Sequence, residues 1–142
     1  MNPITVLLVE DHKIGREGFR KMLELENDLK VVGEAENGRQ AVALVKELRP
    51  AVVVIDIAMP MHNGLQTTRQ ILKALPATKV VILSAIYDGA SIKNAMESGA
   101  MGFLHNQAFA HVLSEGIREV NKGHLFFGPS IPERIQERNR KK

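Results

Sequence analysis

Residues 52–65 read Val-Val-Val-Ile-Asp-Ile-Ala-Met-Pro-Met-His-Asn-Gly-Leu, and this stretch decides the fold. Four β-branched apolar residues in a row suit a strand buried on both faces, as in a parallel sheet covered by helices. Asp56 stands where that strand should end. Pro60 lacks an N–H and constrains Met59, so no regular element continues through them. Gly64 permits a turn, and Leu65 opens a helical pattern. A carboxylate at the C-terminal edge of a buried parallel strand lies where open α/β sheets place their ligands. Taken alone, Asp56 is equally an ordinary residue closing a strand.

The bulk properties bound the answer. The chain has 142 residues, 44% hydrophobic and 25% charged, enough for one domain with a real core. Cysteine is absent, which excludes disulfides, zinc–thiolate sites and cysteine nucleophiles. No apolar run approaches the roughly 18 residues of a membrane span, and the N-terminus lacks a signal-peptide layout. The expectation is a cytoplasmic protein with no membrane partner. Up to Gly128 there are 14 Lys/Arg and 14 Asp/Glu, so the net charge of +3 lies in the tail, with Arg134, Arg138, Arg140, Lys141 and Lys142. The globular part therefore makes no electrostatic case for binding nucleic acid.

Working outward, Ile4–Val9 is a short apolar run that predicts a buried first strand, followed at once by Glu10 and Asp11. Two adjacent acids at a strand end are costly unless solvated, hydrogen-bonded or facing a cation. From His12 to Leu25 a helical stripe is approximated by Ile14, Phe19, Met22, Leu23 and Leu25. Leu29–Ala35 alternates in part and suits an edge strand. Asn37 is placed to cap a helix from Arg39 to Leu48. A helix over 65–75 follows the opening stretch, then a strand over Lys79–Ser84. Asp88 can cap a helix through Met96 that Gly99 stops. Gly102–Leu104 is a fifth short strand, and a last amphipathic helix spans about Ala108 to Asn121, with Gly116 as a mild weak point. Beyond it, Ile131 to Arg140 has the makings of a short helix that little holds down. Five alternations of apolar strand and amphipathic helix predict a doubly wound α/β domain with a parallel sheet.

Right-handed crossovers bring every strand's C-terminal end to one edge of the sheet. That edge collects Glu10 and Asp11, Asp56, Ser84 and the segment from Phe103 to Asn106. If the first, third and fourth strands are neighbours, three carboxylates meet one hydroxyl. Oxygen donors without Cys or His favour a hard cation, Mg²⁺ above all; the alternative is that the acids splay into water.

At this point the sequence resembles a known family, the receiver domains of bacterial two-component response regulators. The resemblance runs from Ile4 to about Gly123. It rests on Leu-Leu-Val-Glu10-Asp11-His, on Val-Val-Ile-Asp56-Ile-Ala-Met59-Pro60-Met-His-Asn-Gly64, on Val-Ile-Leu-Ser84-Ala, and on Ser98-Gly99-Ala-Met-Gly102-Phe103-Leu. Arg16-Glu17-Gly18-Phe19 resembles the NarL/FixJ (LuxR-type) subfamily. The resemblance implies a flavodoxin-like, five-stranded sheet in the order 2-1-3-4-5, with residues 1–124 as the receiver and 125–142 as a basic tail or the start of an interdomain linker. It implies that Asp56 accepts a phosphoryl group from a sensor histidine kinase. Mg²⁺ would be held by Asp11, Asp56 and the main-chain oxygen of Ala58, with Glu10 acting through water. Ser84 would donate to the phosphoryl group, and Phe103 would turn inward as Ser84 moves; plain core packing is the other reading of Phe103.

One departure bears on function. The family carries a lysine three residues after the aromatic, and here that position is Asn106. A neutral donor replaces a charged one, which predicts weakened phosphorylation or altered switching. His105 is a partial substitute only if protonated, and strand alternation should point it the other way. His12 and His62 lie near the site and read as loop residues that can tune it; His111 and His124 show no ligand partner at metal spacing.

The leading expectation is a phosphoacceptor signalling module, not a free-standing enzyme. The alternative is a pseudo-receiver, an interaction or dimerisation domain that keeps the fold. A Mg²⁺-dependent phosphatase with an Asp nucleophile is disfavoured, because position 58 is Ala where a general acid is needed. A homodimer is a further expected partner. Transcriptional output would come from a DNA-binding helix-turn-helix domain outside this chain, which reads as a piece of a longer protein rather than a single-domain regulator.

Overall fold

The buried runs become the centre of a six-stranded, all-parallel sheet in the order β2-β1-β3-β4-β5-β6 in the computed structural model, which describes residues 2–56, 64–85, 88–108 and 110–140. The strands are β1 (Ile4–Val9), β2 (Leu29–Ala35), β3 (Val52–Asp56), β4 (Lys79–Ser84), β5 (Gly102–His105) and β6 (Phe126–Phe127). The helices are α1 (Lys13–Glu24), α2 (Gly38–Leu48), α3 (Gly64–Ala74), α4 (Gly89–Glu97), α5 (Ala110–Asn121) and α6 (Glu133–Arg140). The predicted order 2-1-3-4-5 holds, and a two-residue sixth strand extends it beyond β5.

Because side chains alternate along a strand, each central strand feeds two cores. Leu7, Val9, Val53, Ile55, Val80, Ile82 and Phe103 meet α2, α3 and α4 through Ala41, Val45, Ile71, Ile92 and Ala95. On the opposite face Val6, Leu8, Val52, Val54, Val81, Leu83 and Leu104 meet Leu23 of α1 and Val112, Leu113, Ile117 and Val120 of α5. Two-sided burial is what the unbroken β-branched run of β3 required. The caps fall where the sequence puts them: Asn37 accepts from the Gln40 N–H at 2.9 Å, and Asp88 from the Ser91 N–H at 2.8 Å.

Two expectations change. Ile14 and Leu25 belong to the apolar stripe that the sequence approximates over His12–Leu25, but they are 86% and 80% exposed. Ile14 lies nine residues before Leu23, about 180° round a helix of 3.6 residues per turn, and Leu25 falls at the C-cap, beyond the last turn. The second change concerns residues 125–140. Phe126 N–H donates to Met101 O and Gly128 N–H to Phe103 O, both at 2.8 Å, so this stretch joins the sheet edge. Ile131, Ile135 and Asn139, spaced four apart, are then buried. The helix expected to be loosely held is thus seated on the α4 side of the domain.

Candidate functional site

Parallel pairing lines up the strand ends. Val9 pairs with Ile55, Asp56 with Leu83, and Ser84 with His105. Glu10, Asp56, Ser84 and Asn106 therefore share one edge, as the crossovers predict, and the Asn106 N–H donates to Ser84 O at 3.0 Å. Asp56, Ser84 and Asn106 are half-buried, and Asp11 is exposed. The main-chain oxygen of Ala58, along with Met59, Pro60 and His62, lies outside the described residues.

Glu10 is the buried acid of the group, only 6% exposed. Its pKa rises from the ordinary 4.5 to about 7, first because burial disfavours the charge and next because Asp56 hydrogen-bonds to it; the His12 backbone N–H works the other way. His12 closes the other side. Its N–H donates to Glu10 Oε1 at 2.9 Å, and its Nδ1 lies 3.2 Å from that oxygen and 3.1 Å from Asp11 Oδ1. The neighbouring carboxylates, Glu10 first and Asp11 next, raise the pKa of this imidazole. Among the described residues, Glu10, Asp11 and His12 are a set whose potential ligand atoms all lie within 4.8 Å of one another.

Arg16 fastens the floor of the site. Its Nη1 donates to Glu10 O at 2.7 Å, and its Nε donates to Glu34 Oε1 at 3.1 Å. Arg20 also pairs with Glu34. The lowered pKa of Glu34 follows from these cations, Arg20 foremost. Arg16 was not singled out as a site residue in the sequence; its one signal is the position, one helical turn past His12, which returns its side chain to the end of β1. Elsewhere, His105 Nδ1 accepts from the Gln107 N–H at 3.1 Å, and His124 pairs with Glu119 at 3.0 Å.

Phe103 is inward and 3% exposed, its ring stacked on Phe127 with centroids 5.3 Å apart and planes at 21°. A groove of about 1000 Å³ between α2 and α3 reaches Asp11 at one end and is edged by Arg39, Lys46 and Lys73.

A doubly wound parallel sheet with acids at the ends of β1 and β3, and a hydroxyl and an aromatic on the two strands beyond, defines a receiver-type α/β domain. The chain belongs to the response regulator receiver domain family, whose model matches residues 6–118. Transcriptional regulatory protein DegU of Brevibacillus brevis is 32% identical over 134 residues, covering 94% of this chain and 57% of its own length. LnrK of Bacillus subtilis (strain 168), also a transcriptional regulatory protein, is 35% identical over 128 residues, 90% of this chain and 58% of its own. The chain thus spans less than two thirds of these relatives. Among solved structures, a LuxR-family two-component response regulator from Aurantimonas sp. SI85-9A1 superposes with a TM-score of 0.88 at 30% identity, covering 97% of this chain and 99% of that one. The signal receiver domain of NarL from Mycobacterium tuberculosis gives 0.80 at 30% identity, covering 87% and 100%. The NarL/LuxR-type resemblance read from the motifs is borne out.

Proposed function

We propose that this chain is a phosphoacceptor switch and that Asp56 is the residue phosphorylated. The observation that carries the reading is the position of Asp56. It ends the central strand, hydrogen-bonds to a buried acid, and is paired in register one residue short of Ser84. An Asp56 carboxylate oxygen would attack the phosphorus of a phosphohistidine on a sensor kinase. The P–O bond forms as the P–N bond breaks, and the imidazole leaves with the electron pair. The Ser84 hydroxyl would donate to a phosphoryl oxygen. The chain spends its own residue as acceptor and is no free-standing enzyme.

The donor set suits Mg²⁺. Glu10, Asp11 and Asp56 offer oxygen ligands of the kind a hard divalent cation takes. Asp11 and Asp56 would hold the ion directly, with Ala58 O, and Glu10 through water. When bound, it would supply charge neutralisation for the incoming phosphoryl group.

DegU and LnrK are transcriptional regulatory proteins of which the matched segments cover 57% and 58%, which supports a role upstream of a DNA-binding domain in the cytoplasm. No nucleic acid is needed by this segment, and no helix among the described residues is long and apolar enough to cross a membrane. A second reading, the pseudo-receiver, is favoured by Asn106, which offers no cation at the position where the family has lysine.

The test is incubation with a small phosphodonor and Mg²⁺, followed by intact-mass measurement. One added phosphoryl group, lost in Asp56→Asn, supports the first reading; no increment in the unaltered chain supports the second.

A further inference from the structure

The groove between α2 and α3 holds a set of donors that the acidic site does not use. Both helices run back from the C-terminal edge of the parallel sheet, so they lie side by side in the same direction. Arg39, Val42, Ala43 and Lys46 fall at helical spacing on one face of α2, opposite Lys73 and Ala74 of α3. Arg39 and Lys46 are two helical turns apart, about 10 Å at the helical rise per residue. Among the described residues, neither these two cations nor Lys73 has an ion-pair partner.

The first turn of α2 offers donors without an acceptor. It carries no acid, and Arg39 stands at the positive end of the helix dipole, where a cation is disfavoured unless an anion offsets it. Asn37 takes the Gln40 N–H, which leaves the Gly38 and Arg39 N–H groups without an acceptor among the described residues. Thr67 faces this turn from α3, and Gly38 makes room for it: a Cβ there would strike Thr67 Oγ1. Thr67 is 4% exposed, and its hydroxyl has no hydrogen-bond partner among the described residues, although a buried hydroxyl is costly without one.

We propose that this groove binds an elongated organic dianion. One oxyanionic group takes the Gly38 and Arg39 N–H groups, the Arg39 guanidinium and the Thr67 hydroxyl. An apolar middle lies over Val42, Ala43 and Ala74, and a second anionic group lies between Lys46 and Lys73. Asp11 and Glu36, at the Arg39 end, repel an anion that would run on toward Asp56. The site does not rest on the phosphoacceptor reading, since it uses neither Asp56 nor Ser84.

The test is an amide NMR titration of the whole chain, without divalent metal, with α,ω-alkanedioates from pentanedioate to dodecanedioate. Decanedioate, which best matches a span of about 10 Å, should bind tightest, with shifts in residues 37–46 and 66–74. Octanoate, with a single carboxylate, should bind about tenfold more weakly. Thr67→Val should weaken decanedioate about fivefold yet leave Tm equal or higher, because it removes a hydroxyl that lacks a partner. Lys46→Gln combined with Lys73→Gln should abolish the preference for decanedioate over octanoate. Shifts outside the groove, an affinity that ignores chain length, or full affinity in both variants overturns the proposal. A lowered Tm in Thr67→Val assigns the hydroxyl to the fold and overturns its role in binding. Binding of an acidic peptide but of no alkanedioate also overturns the proposal and makes the groove a protein-docking face.

Discussion

Arg16 Nη1 donates to the main-chain oxygen of Glu10 at 2.7 Å, tying the first helix to the end of the first strand at the point where the acidic site begins. The same guanidinium reaches Glu34 on β2 and is 14% exposed, so three elements meet at one side chain. Hydrogen bonds from a charged group contribute about 1.5–3 kcal/mol. Arg16→Ala should lower the unfolding free energy by that amount in urea denaturation. Arg16→Lys should recover less than half, because an ammonium cannot span both oxygens as the planar fork does.

The charge missing at Asn106 can be restored. A charged donor exceeds a neutral one by on the order of 1 kcal/mol, equivalent to about fivefold in rate or equilibrium. Asn106→Lys should therefore raise the initial rate of phosphorylation by at least that factor in a mass-resolved time course. An unchanged rate would show that the pocket works without a cation at this position.

Glu10 sets a pH dependence whose sign follows from its raised pKa. The folded state keeps the proton up to about pH 7, whereas the unfolded chain releases it near 4.5. Between these values the native state binds more protons, so stability falls as pH climbs and is lowest above about 7. The raised pKa of His12 acts in the same direction. Asp28 and Glu34, held low by Arg118 and Arg20 respectively, act oppositely, and only in acid below the ordinary carboxylate range. In chelator, denaturation at pH 5 should show a more stable protein than at pH 8, and Glu10→Gln should flatten the difference. A slope of the opposite sign in chelator would contradict the buried proton.

Gly99 ends α4 with φ of +104°, a conformation that costs an L-residue about 1–2 kcal/mol. Its missing side chain also leaves room for Leu72 of α3, which a Cβ would strike. Gly99→Ala should destabilise the domain by about 2–4 kcal/mol in thermal or urea melts, combining strain with overpacking. Adding Leu72→Ala should not restore stability, because the backbone strain persists and a cavity is added.

The strands were legible because their signal is local. β2 and β4 run over the residues whose apolar pattern marks them, since a run such as Val52–Ile55 has few alternatives once buried on both faces. The two caps were legible for the same reason: Asn37 and Asp88 act on N–H groups three residues away. The α1 stripe misled because Ile14 and Leu25 match helical spacing only loosely, and apolar identity does not say which side of a helix meets the sheet. The C-terminal segment was illegible because two strand residues carry no period, and Ile131 and Ile135 sit among charges.

By itself the sequence determined the alternation of strands and helices, the parallel sheet, and the set of residues at its C-terminal edge. These follow from local periodicity and from the handedness of crossovers. Only the tertiary structure decided that Glu10 is buried against Asp56, that Arg16 grips β1 from α1, and that Phe103 is stacked beneath Phe127. Each depends on burial, or on the distance between residues remote along the chain, and neither quantity is present until the sheet has assembled.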